Sequence, residues 1–299
     1  MIAFVLSGGG NRGALEAGAL IALFERGIQP DILVGTSAGA MNAAFIAINP
    51  TLDGAKQLGD RWEKINKEMV FPGNYLTMAW RFLTGADSLS PNDNLRQFVG
   101  SQLPPGMRTF GDIRNVRLYT TTANLNTAEL YVFGDDQTAL LLDAVMCSAA
   151  VPPLLPPIMF NGFQYVDGAV GADVPISIAA AKGAAEIYAI DVGLGAVSRN
   201  SIHGVVNVGQ RVIGLLVHRQ LIDDFEEVQE DPALKLHYLA IQSYPDIGDF
   251  DHAKLFVAEG YRLTKDFLDG KPPSPLGMAS MEVAAPGAPP GAVKWERKK

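Results

Sequence analysis

Gly35-Thr36-Ser37-Ala38-Gly39 has the residue types and the spacing of a nucleophile elbow, G-x-S-x-G. A serine on a sharp strand-to-helix turn has a strained backbone and an exposed hydroxyl, and flanking glycines let strand and helix approach without Cβ clashes. The N–H of Ala38 points to where a reacting carbonyl oxygen becomes an oxyanion. The pentapeptide follows an apolar run and precedes a small-residue segment, which is the context that the motif requires. We therefore predict that Ser37 is a nucleophile and that Gly35 and Gly39 shape its turn.

A second glycine-rich turn, Gly8-Gly9-Gly10-Asn11-Arg12-Gly13, lies near the start of the chain, between an apolar run and a helical pattern. Such a turn exposes several N–H groups, and the dipole of the following helix adds positive potential, so it is suited to bind a phosphate or an oxyanion. The spacing also matches a dinucleotide-binding G-x-G-x-x-G, but the acidic residue expected about 20 positions later is absent. The lysine of a Walker loop is absent too. Both glycine-rich turns are expected at the same end of a sheet, where ligands bind.

A nucleophilic serine needs a base, and the sequence offers two kinds. One is histidine: the chain has four, none of them in a recognisable motif, and each is expected on the surface or in the core, namely His203, His218, His237 and His252. The other is a carboxylate, because Asp167 follows a short strand-like run and starts the glycine-rich stretch Asp167–Pro175. An Asp-Gly pair is ordinarily a turn. The residues alone therefore leave open both a Ser-Asp-His order and direct catalysis by Asp167.

Four short elements must hold these turns. The apolar run Ile2–Leu6 predicts a buried strand, and Ala14–Arg26 has the apolar spacing of a helix that Gly27 can end in a left-handed conformation. Ile32–Val34 predicts a second strand and Ala40–Ile48 a second helix. The order strand–helix–strand–helix requires parallel strands with crossover helices. The beginning of the chain therefore predicts an α/β sheet that is covered on both faces.

The rest of the chain continues this pattern with less regular stretches between its elements. Further strands are predicted at Arg117–Ala123, Ala128–Phe133, Phe163–Val166, Ile187–Val192 and Leu236–Ile241, and further helices at Thr138–Ala149, Ser201–Glu227 and Ala253–Leu268. Residues 55–112 are expected to form helical segments outside the sheet, and they contain an aromatic group, Trp62, Phe71, Tyr75, Trp80 and Phe82. Ordinary packing is the expected role of these side chains. A mobile cover over the substrate groove, formed by residues 60–90, is the alternative.

Composition excludes several classes of protein. With 24 Lys and Arg against 32 Asp and Glu, the net charge of −8 argues against a dedicated nucleic-acid binder. The single cysteine, Cys147, excludes an internal disulfide, and no cluster of metal ligands is apparent, so neither a metal nor another cofactor is expected. The longest apolar runs are far below the roughly 18–20 residues that span a bilayer, and the N-terminus lacks the features of a secretory signal. We therefore expect a cytoplasmic protein, either fully soluble or peripheral at a membrane.

The last part of the sequence differs in kind. Residues 271–299 are rich in Pro, Ala and Gly, show no periodicity and end in the basic run Lys294-Trp295-Glu296-Arg297-Lys298-Lys299. We expect one catalytic domain over residues 1–270 and a disordered tail over residues 271–299. Contact between the basic end and an anionic membrane is a further hypothesis, and a merely solubilising role is its alternative.

Three motifs together resemble the patatin-like phospholipase family. That family has, in order, a G-G-G-x-[KR]-G oxyanion loop, a G-x-S-x-G elbow and a catalytic Asp-Gly-[Ala/Gly], and this chain has Gly8–Gly13, Gly35–Gly39 and Asp167–Ala169. The block Ser148–Pro152 is similar to the family's S-x-A-x-P region, and Thr122–Phe133 is similar to its strand pair. One short motif would be weak evidence, whereas three in order are strong evidence. The resemblance covers residues 2 to about 195.

The resemblance implies a three-layer α/β/α sandwich with a mostly parallel central sheet. It also implies a Ser-Asp dyad without histidine, in which Ser37 attacks an acyl ester and Asp167 takes the proton and later activates water. Gly168 and Ala169 would form the turn that supports the dyad. The implied oxyanion region consists of six residues, Gly8, Gly9, Gly10, Arg12, Gly13 and Ala38.

The implied activity is that of a serine lipid acyl hydrolase of the phospholipase A, lysophospholipase or carboxylesterase type. The substrate would be a phospholipid, a lysophospholipid or another acyl ester, with transient contact to a membrane surface as an open question, and no nucleic acid is expected as a partner. An acyltransferase using the same serine is one alternative. Such relatives usually have a G-H-S-x-G elbow, whereas Thr36 occupies the second position here. A non-catalytic lipid-binding regulatory protein that kept the fold is the other alternative.

Overall fold

The computed structural model describes residues 1–193, 201–229, 231–241 and 249–271. The strands of this part of the chain are β1 (Ile2–Leu6), β2 (Ile32–Gly35), β3 (Arg117–Asn124), β4 (Leu130–Phe133), β5 (Ile158–Phe160), β6 (Phe163–Asp167), β7 (Glu186–Asp191) and β8 (Lys235–Ala240). Its helices are α1 (Gly13–Glu25), α2 (Ala38–Ile48), α3 (Leu52–Trp62), α4 (Lys67–Val70), α5 (Tyr75–Leu83), α6 (Asp93–Gln102), α7 (Leu141–Ser148), α8 (Ile176–Ala181), α9 (Val205–Gln229) and α10 (Ala253–Leu268).

The predicted elements are present, with shifts of a few residues at their ends. The left-handed end of α1 is confirmed, since Gly27 has φ +74°. Helix α7 starts at Leu141 rather than at Thr138, because the side chain of Asp136 accepts from the N–H and the hydroxyl of Thr138 and closes a turn there. Strand β5 and helix α8 were not predicted from the sequence. Both are short, and β5 lies behind a proline-rich stretch that hides its pattern.

Eight strands of the described chain form one mixed sheet in the order β5-β6-β3-β2-β1-β7-β8, with β4 paired to β3. Strands β3, β2, β1, β7 and β8 pair in parallel. Strands β4 and β6 pair antiparallel with β3, and β5 pairs antiparallel with β6. The parallel strands β1 and β2 therefore end at the same edge of the sheet, as predicted for the two glycine-rich turns.

The sheet is buried on both faces because successive side chains of a strand point to opposite sides. Phe4 and Leu6 of β1 belong to a core with helices α1, α2, α3, α7 and α10. Ala3 and Val5 of the same strand belong to a second core with α8 and α9. The architecture is a three-layer α/β/α sandwich, which confirms the predicted fold class.

The aromatic group between α3 and α6 corrects one expectation. Trp62 is buried in the core and donates from its indole N–H to Asn42, as expected for ordinary packing. In contrast, Tyr75, Trp80 and Phe82 of α5 are exposed. Ordinary packing is therefore wrong for these three side chains, because α5 lies on the surface.

Among the described residues, no helix combines the length and the apolar character that a bilayer-crossing segment requires. The predicted disordered tail, apart from its first residue, lies outside the described residues.

Candidate active site

Ser37 occupies a sharp turn between β2 and α2. Its backbone has φ 56° and ψ −121°, a left-handed conformation that is costly for a residue with a side chain. The flanking glycines are required by close backbone contacts. A Cβ at Gly35 would overlap the carbonyl of Gly39, and a Cβ at Gly39 would overlap the carbonyl of Leu6. The turn therefore has the geometry that the G-x-S-x-G motif predicts.

Hydrogen bonds from distant segments hold the turn in place. The N–H of Ser37 donates to Oγ of Ser148 at the end of α7, at 2.9 Å. The hydroxyl of Thr36 donates to the carbonyl of Ala172 at 2.8 Å and lies 2.7 Å from the hydroxyl of Thr121. The N–H of Ala38 donates to no group in the described ranges, so it is available to a ligand.

Asp167 is the last residue of β6 and is almost completely buried beside the serine. Its Oδ1 accepts from the N–H of Ala169 at 2.8 Å, while its buried Oδ2 has no hydrogen-bond partner in the described chain. Burial raises the pKa of Asp167 to about 7, and the nearby hydroxyl of Ser37 and the N–H of Ala169 oppose this shift. Gly168 has no room for a side chain, because a Cβ there would overlap Thr121.

The backbone N–H groups of the glycine-rich loop after β1 are of two kinds, those that donate to an acceptor of the described chain and those that do not. Gly8 donates to the side chain of Asp173 at 3.0 Å, and Gly13 donates within the first helical turn. Gly9 and Gly10 donate to no acceptor in the part of the chain that the structure describes. Within the predicted oxyanion region, the N–H groups of Gly8 and Gly13 are therefore occupied by acceptors of the chain itself.

Arg12 lies under the loop rather than in the solvent. Its Nε donates to the carbonyl of Gly9 at 3.2 Å, and its Nη1 donates to the carbonyl of Gly193 at 2.5 Å. Burial lowers the pKa of Arg12, and the carboxylates of Asp173 and Asp191 oppose that shift. The side chain therefore ties the loop to the end of β7.

Two half-buried carboxyl groups, those of Asp173 and Asp191, act on this arginine through their charges, and sequence reasoning did not identify them. Burial, the charge of Asp191 and then that of Asp167 raise the pKa of Asp173 well above its ordinary value. Asp191 accepts from the hydroxyl of Tyr238 and from the N–H of Gly193. The glycine-rich stretch that follows Asp167 was a signal for Asp173, but nothing local indicated Asp191.

One cavity of about 150 Å³ brings these groups together. Ser37, Asp167, Arg12 and the loop glycines line one side of it. The remaining wall is mainly apolar and includes Phe71, Val151, Leu154, Val170, Val217 and Leu221. The arrangement combines a nucleophile, a base with a pKa near neutrality, free N–H donors and room for an apolar chain.

The sequence model of the patatin-like phospholipase family matches residues 4–180. The chain belongs to this family. The matched region contains both glycine-rich turns and Asp167, and it ends within α8.

Curated relatives share this patatin-like region. YqhO of Bacillus subtilis, an uncharacterised protein, is 30% identical over 195 residues, which are 58% of this chain and 64% of YqhO. Lysophospholipase NTE1 of Saccharomyces cerevisiae is 29% identical over 199 residues, covering 64% of this chain and 11% of NTE1. Human patatin-like phospholipase domain-containing protein 6 is 31% identical over 198 residues, covering 64% of this chain and 13% of that protein. The alignments thus span less than two thirds of each relative.

Two solved structures resemble the chain at low sequence identity. VipD of Legionella pneumophila has a TM-score of 0.48 and 16% identity, covering 90% of this chain and 66% of VipD. ExoU from the ExoU–SpcU complex of Pseudomonas aeruginosa has a TM-score of 0.40 and 20% identity, covering 90% of this chain and 51% of that chain.

One histidine of this patatin-like chain lines the cavity, contrary to the expected surface or core positions. His218 of α9 lies in the cavity wall, and burial lowers its pKa. No hydrogen bond joins it to Ser37 or Asp167 among the described residues. His237 bonds Glu186 and stacks on Tyr188, away from the serine.

Within the described ranges, no group of three His, Cys, Asp or Glu side chains is arranged to hold a metal ion. Cys147 is buried, and burial raises the pKa of its thiol to about 12, so it is not poised as a nucleophile.

Proposed function

We propose that this patatin-like chain is a serine lipid acyl hydrolase that uses a Ser37–Asp167 dyad. The observation that carries the proposal is the pairing of two features in one apolar cavity. Ser37 sits on a strained elbow, and Asp167 beside it has a pKa of about 7. A base whose pKa lies near the working pH is suited to accept and return a proton.

In the acylation step, the hydroxyl oxygen of Ser37 attacks the ester carbonyl while Asp167 accepts the hydroxyl proton. The developing oxyanion would accept hydrogen bonds from the N–H groups of Gly9, Gly10 and Ala38, which have no other described acceptor. Donors of this kind stabilise the transition state by about 3–4 kcal/mol each. Protonation of the leaving oxygen by Asp167 breaks the ester bond and leaves an acyl-enzyme.

In the deacylation step, Asp167 removes a proton from water, and the resulting hydroxide attacks the acyl-enzyme carbonyl. Collapse of the second tetrahedral intermediate releases the fatty acid and returns the proton to Ser37. The same donors serve both steps, because the oxyanion forms at the same position. Arg12 binds the carbonyls of Gly9 and Gly193, so we assign it the role of positioning the loop.

The proposed substrates are phospholipids, lysophospholipids or other acyl esters. The family is named for phospholipase activity, and the apolar wall of the cavity fits an acyl chain. We assign the activity to a catalytic domain of residues 1–270. Helix α10, near the end of this range, packs against α1 so closely that Gly18 and Gly260 have no room for a side chain.

The test compares hydrolysis of a p-nitrophenyl ester and of a lysophospholipid by wild type and variants. Ser37→Ala and Asp167→Asn should each lower kcat by at least about 10³-fold, because they remove the nucleophile and the base. Ser101→Ala, an exposed serine of α6, is the matched control and should retain full activity. Full activity of Ser37→Ala would reject the proposal.

His218→Ala separates the dyad from a histidine mechanism. The dyad predicts that this variant keeps most of the activity. Loss of activity in His218→Ala together with an active Asp167→Asn would instead indicate a histidine base. Product analysis with an added acceptor alcohol tests the acyltransferase alternative, because transfer would yield a new ester in place of the free acid.

A further inference from the structure

Helix α5 exposes an unusual amount of apolar surface. Tyr75, Leu76, Trp80, Phe82 and Leu83 are all exposed, and Trp80 is 69% exposed. We call these five side chains the α5 surface. The helix is well formed, because Asn74 and Thr77 make a reciprocal capping box at its start. Soluble monomers rarely expose such contiguous apolar patches unless the patch binds something.

Hydrogen bonds link α5 to a segment that borders the cavity. Arg81 donates to the carbonyl and the hydroxyl of Ser88, and Ser90 donates to the carbonyl of Pro72. The N–H of Leu89 donates to the carbonyl of Pro153, and that of Ser90 donates to Leu154, a residue of the cavity wall. Helix α5 is therefore linked to the cavity wall through residues 88–90.

Helix α9 borders the cavity from the other face of the sheet. Val217, His218 and Leu221 line the cavity, while the turns from Val208 to Leu216 expose apolar side chains. We call this set the α9 surface: Val208, Val212, Leu215 and Leu216. Both apolar surfaces thus belong to segments that border the same cavity.

The charges of these two segments differ from those of the whole chain. The net charge is −8, yet the only charged side chain between Phe71 and Ala86 is Arg81. Between Ile202 and Ile222 the charged side chains are Arg211 and Arg219, and the acidic residues of α9 begin only at Asp223. An otherwise acidic protein therefore presents apolar and basic residues on both sides of its cavity.

We propose that the α5 and α9 surfaces dock this chain on a phospholipid surface, so that acyl chains enter the cavity directly from the lipid. The inference rests on the proposed function, because the cavity between the segments is the proposed acyl site. Trp and Tyr are typical of the lipid–water interface, and Arg is attracted by lipid phosphates. A short amphipathic helix binds in the plane of such an interface.

The test measures co-flotation with vesicles of phosphatidylcholine and of phosphatidylcholine mixed with phosphatidylglycerol. All proteins carry Ser37→Ala, so that no lipid is consumed. Trp80→Glu with Leu83→Glu should weaken binding at least tenfold, and Leu216→Glu should weaken it to a smaller extent. Binding of the parent protein should be tighter to the vesicles that contain phosphatidylglycerol.

A charge-matched control uses two other exposed apolar residues outside the cavity wall. Leu255→Glu with Met159→Glu replaces side chains that are both 63% exposed, on α10 and β5. This control should bind vesicles like the parent. Thermal unfolding of each variant verifies that the fold is intact. The same surface variants made with Ser37 retained should hydrolyse a soluble p-nitrophenyl ester at the wild-type rate, which verifies that the cavity is intact.

Truncation after Lys271 separates the two proposed surfaces from the basic C-terminal end. Docking by α5 and α9 predicts that the truncated chain keeps its affinity and that Trp80 fluorescence shifts to the blue on vesicles. Three outcomes would each overturn the proposal. The truncated chain could lose binding, or the Trp80→Glu, Leu83→Glu variant could bind vesicles as tightly as the parent. Trp80 could also be buried in a dimer without lipid. Vesicle binding without any ester hydrolysis would reject the proposed function alone. Hydrolysis of the soluble ester without vesicle binding would reject the docking alone.

Discussion

The two turns of the site follow neighbouring parallel strands and lead into helices, yet they are held in different ways. The elbow after β2 is shaped by close backbone contacts of Gly35 and Gly39 within the first part of the chain. The loop after β1 is held by a buried arginine and by side chains far away in sequence: Asp173 binds Gly8, and Arg12 reaches Gly193.

The two turns therefore have different tasks, since the elbow positions Ser37 and the loop positions N–H donors. Steric contacts of the glycines, together with neutral hydrogen bonds to Ser148 and Ala172, fix Ser37 in one strained geometry and use no charge. The buried Arg12 and the bond from Gly8 to Asp173 hold the loop, and the N–H groups of Gly9 and Gly10 have no acceptor among the described residues, so they are available to an anion. The elbow should therefore be sensitive to volume, and the loop should be sensitive to charge geometry and protonation.

The largest expected effect comes from adding one methyl group to the elbow. In Gly39→Ala the new Cβ would overlap the carbonyl of Leu6, so we expect a loss of about 3 kcal/mol or more in the free energy of unfolding and loss of esterase activity. Gly100→Ala in α6 is the control, because the nearest atom to its Cβ lies at 3.6 Å. That variant should be unchanged or more stable by up to about 1 kcal/mol. Equal urea midpoints for the two variants would contradict the steric account.

The pH dependence of kcat/KM tests whether Asp167 or Asp173 is the group whose ionisation controls activity. Asp167 must be ionised to accept a proton and its pKa is about 7, so activity should fall about tenfold per pH unit below that value and level off above it. Asp173→Asn keeps an oxygen that can accept from Gly8 but removes the ionisable group of the loop. The acidic limb should persist in this variant, measured with the soluble ester from pH 5 to 9. Its disappearance would assign the limb to the loop.

The geometry of the loop is tested by Arg12→Lys. Lysine keeps the charge between Asp173 and Asp191 but lacks the planar fork that binds Gly9 and Gly193. We expect kcat/KM to fall about tenfold with little change in KM, because the donors are misplaced rather than lost. Arg262→Lys, in a surface ion pair with Glu259, is the matched control and should be silent. Similar kinetics for both variants would show that Arg12 contributes charge alone.

The smallest expected effect concerns the stability contribution of Asp167 beside the elbow. The pKa of Asp167 is about 7 in the folded chain against an ordinary 3.8, so ionisation favours the unfolded chain as the pH rises from about 4 to 7. Asp167→Asn should therefore have a free energy of unfolding roughly 1–2 kcal/mol higher than wild type at pH 8, and it should unfold at a higher temperature. The difference should shrink as the pH approaches 4. A constant difference across this range would show that the gain does not come from the carboxylate charge.

Local patterns were enough to predict the parallel part of the fold. The apolar runs of β1, β2 and β7 are buried on both faces, and such strands are readable as continuous apolar segments. The elbow could also be predicted, because close backbone contacts require glycine at two fixed positions of the motif. Strand β5 and helix α8 were not predicted, because short elements show little periodicity in their apolar residues.

The aromatic residues of α5 show the limit of composition as a guide. A tryptophan in the sequence suggests a core position, as Trp62 confirms, but Trp80 is exposed. The periodic pattern of an amphipathic helix is the same whether its apolar side meets the core or faces outward. Only the position of α5 outside the sandwich decided between the two.

The sequence was enough to predict Ser37 as the nucleophile, its turn, the order of the central elements and the family. These depend on residue types at fixed spacing, where sterics act between near neighbours. The tertiary structure alone decided that Asp173 holds Gly8, that the charges of Asp173 and Asp191 act on Arg12, and that burial brings the pKa of Asp167 to about 7. Burial and charge proximity arise from segments more than a hundred residues apart, so no local pattern records them.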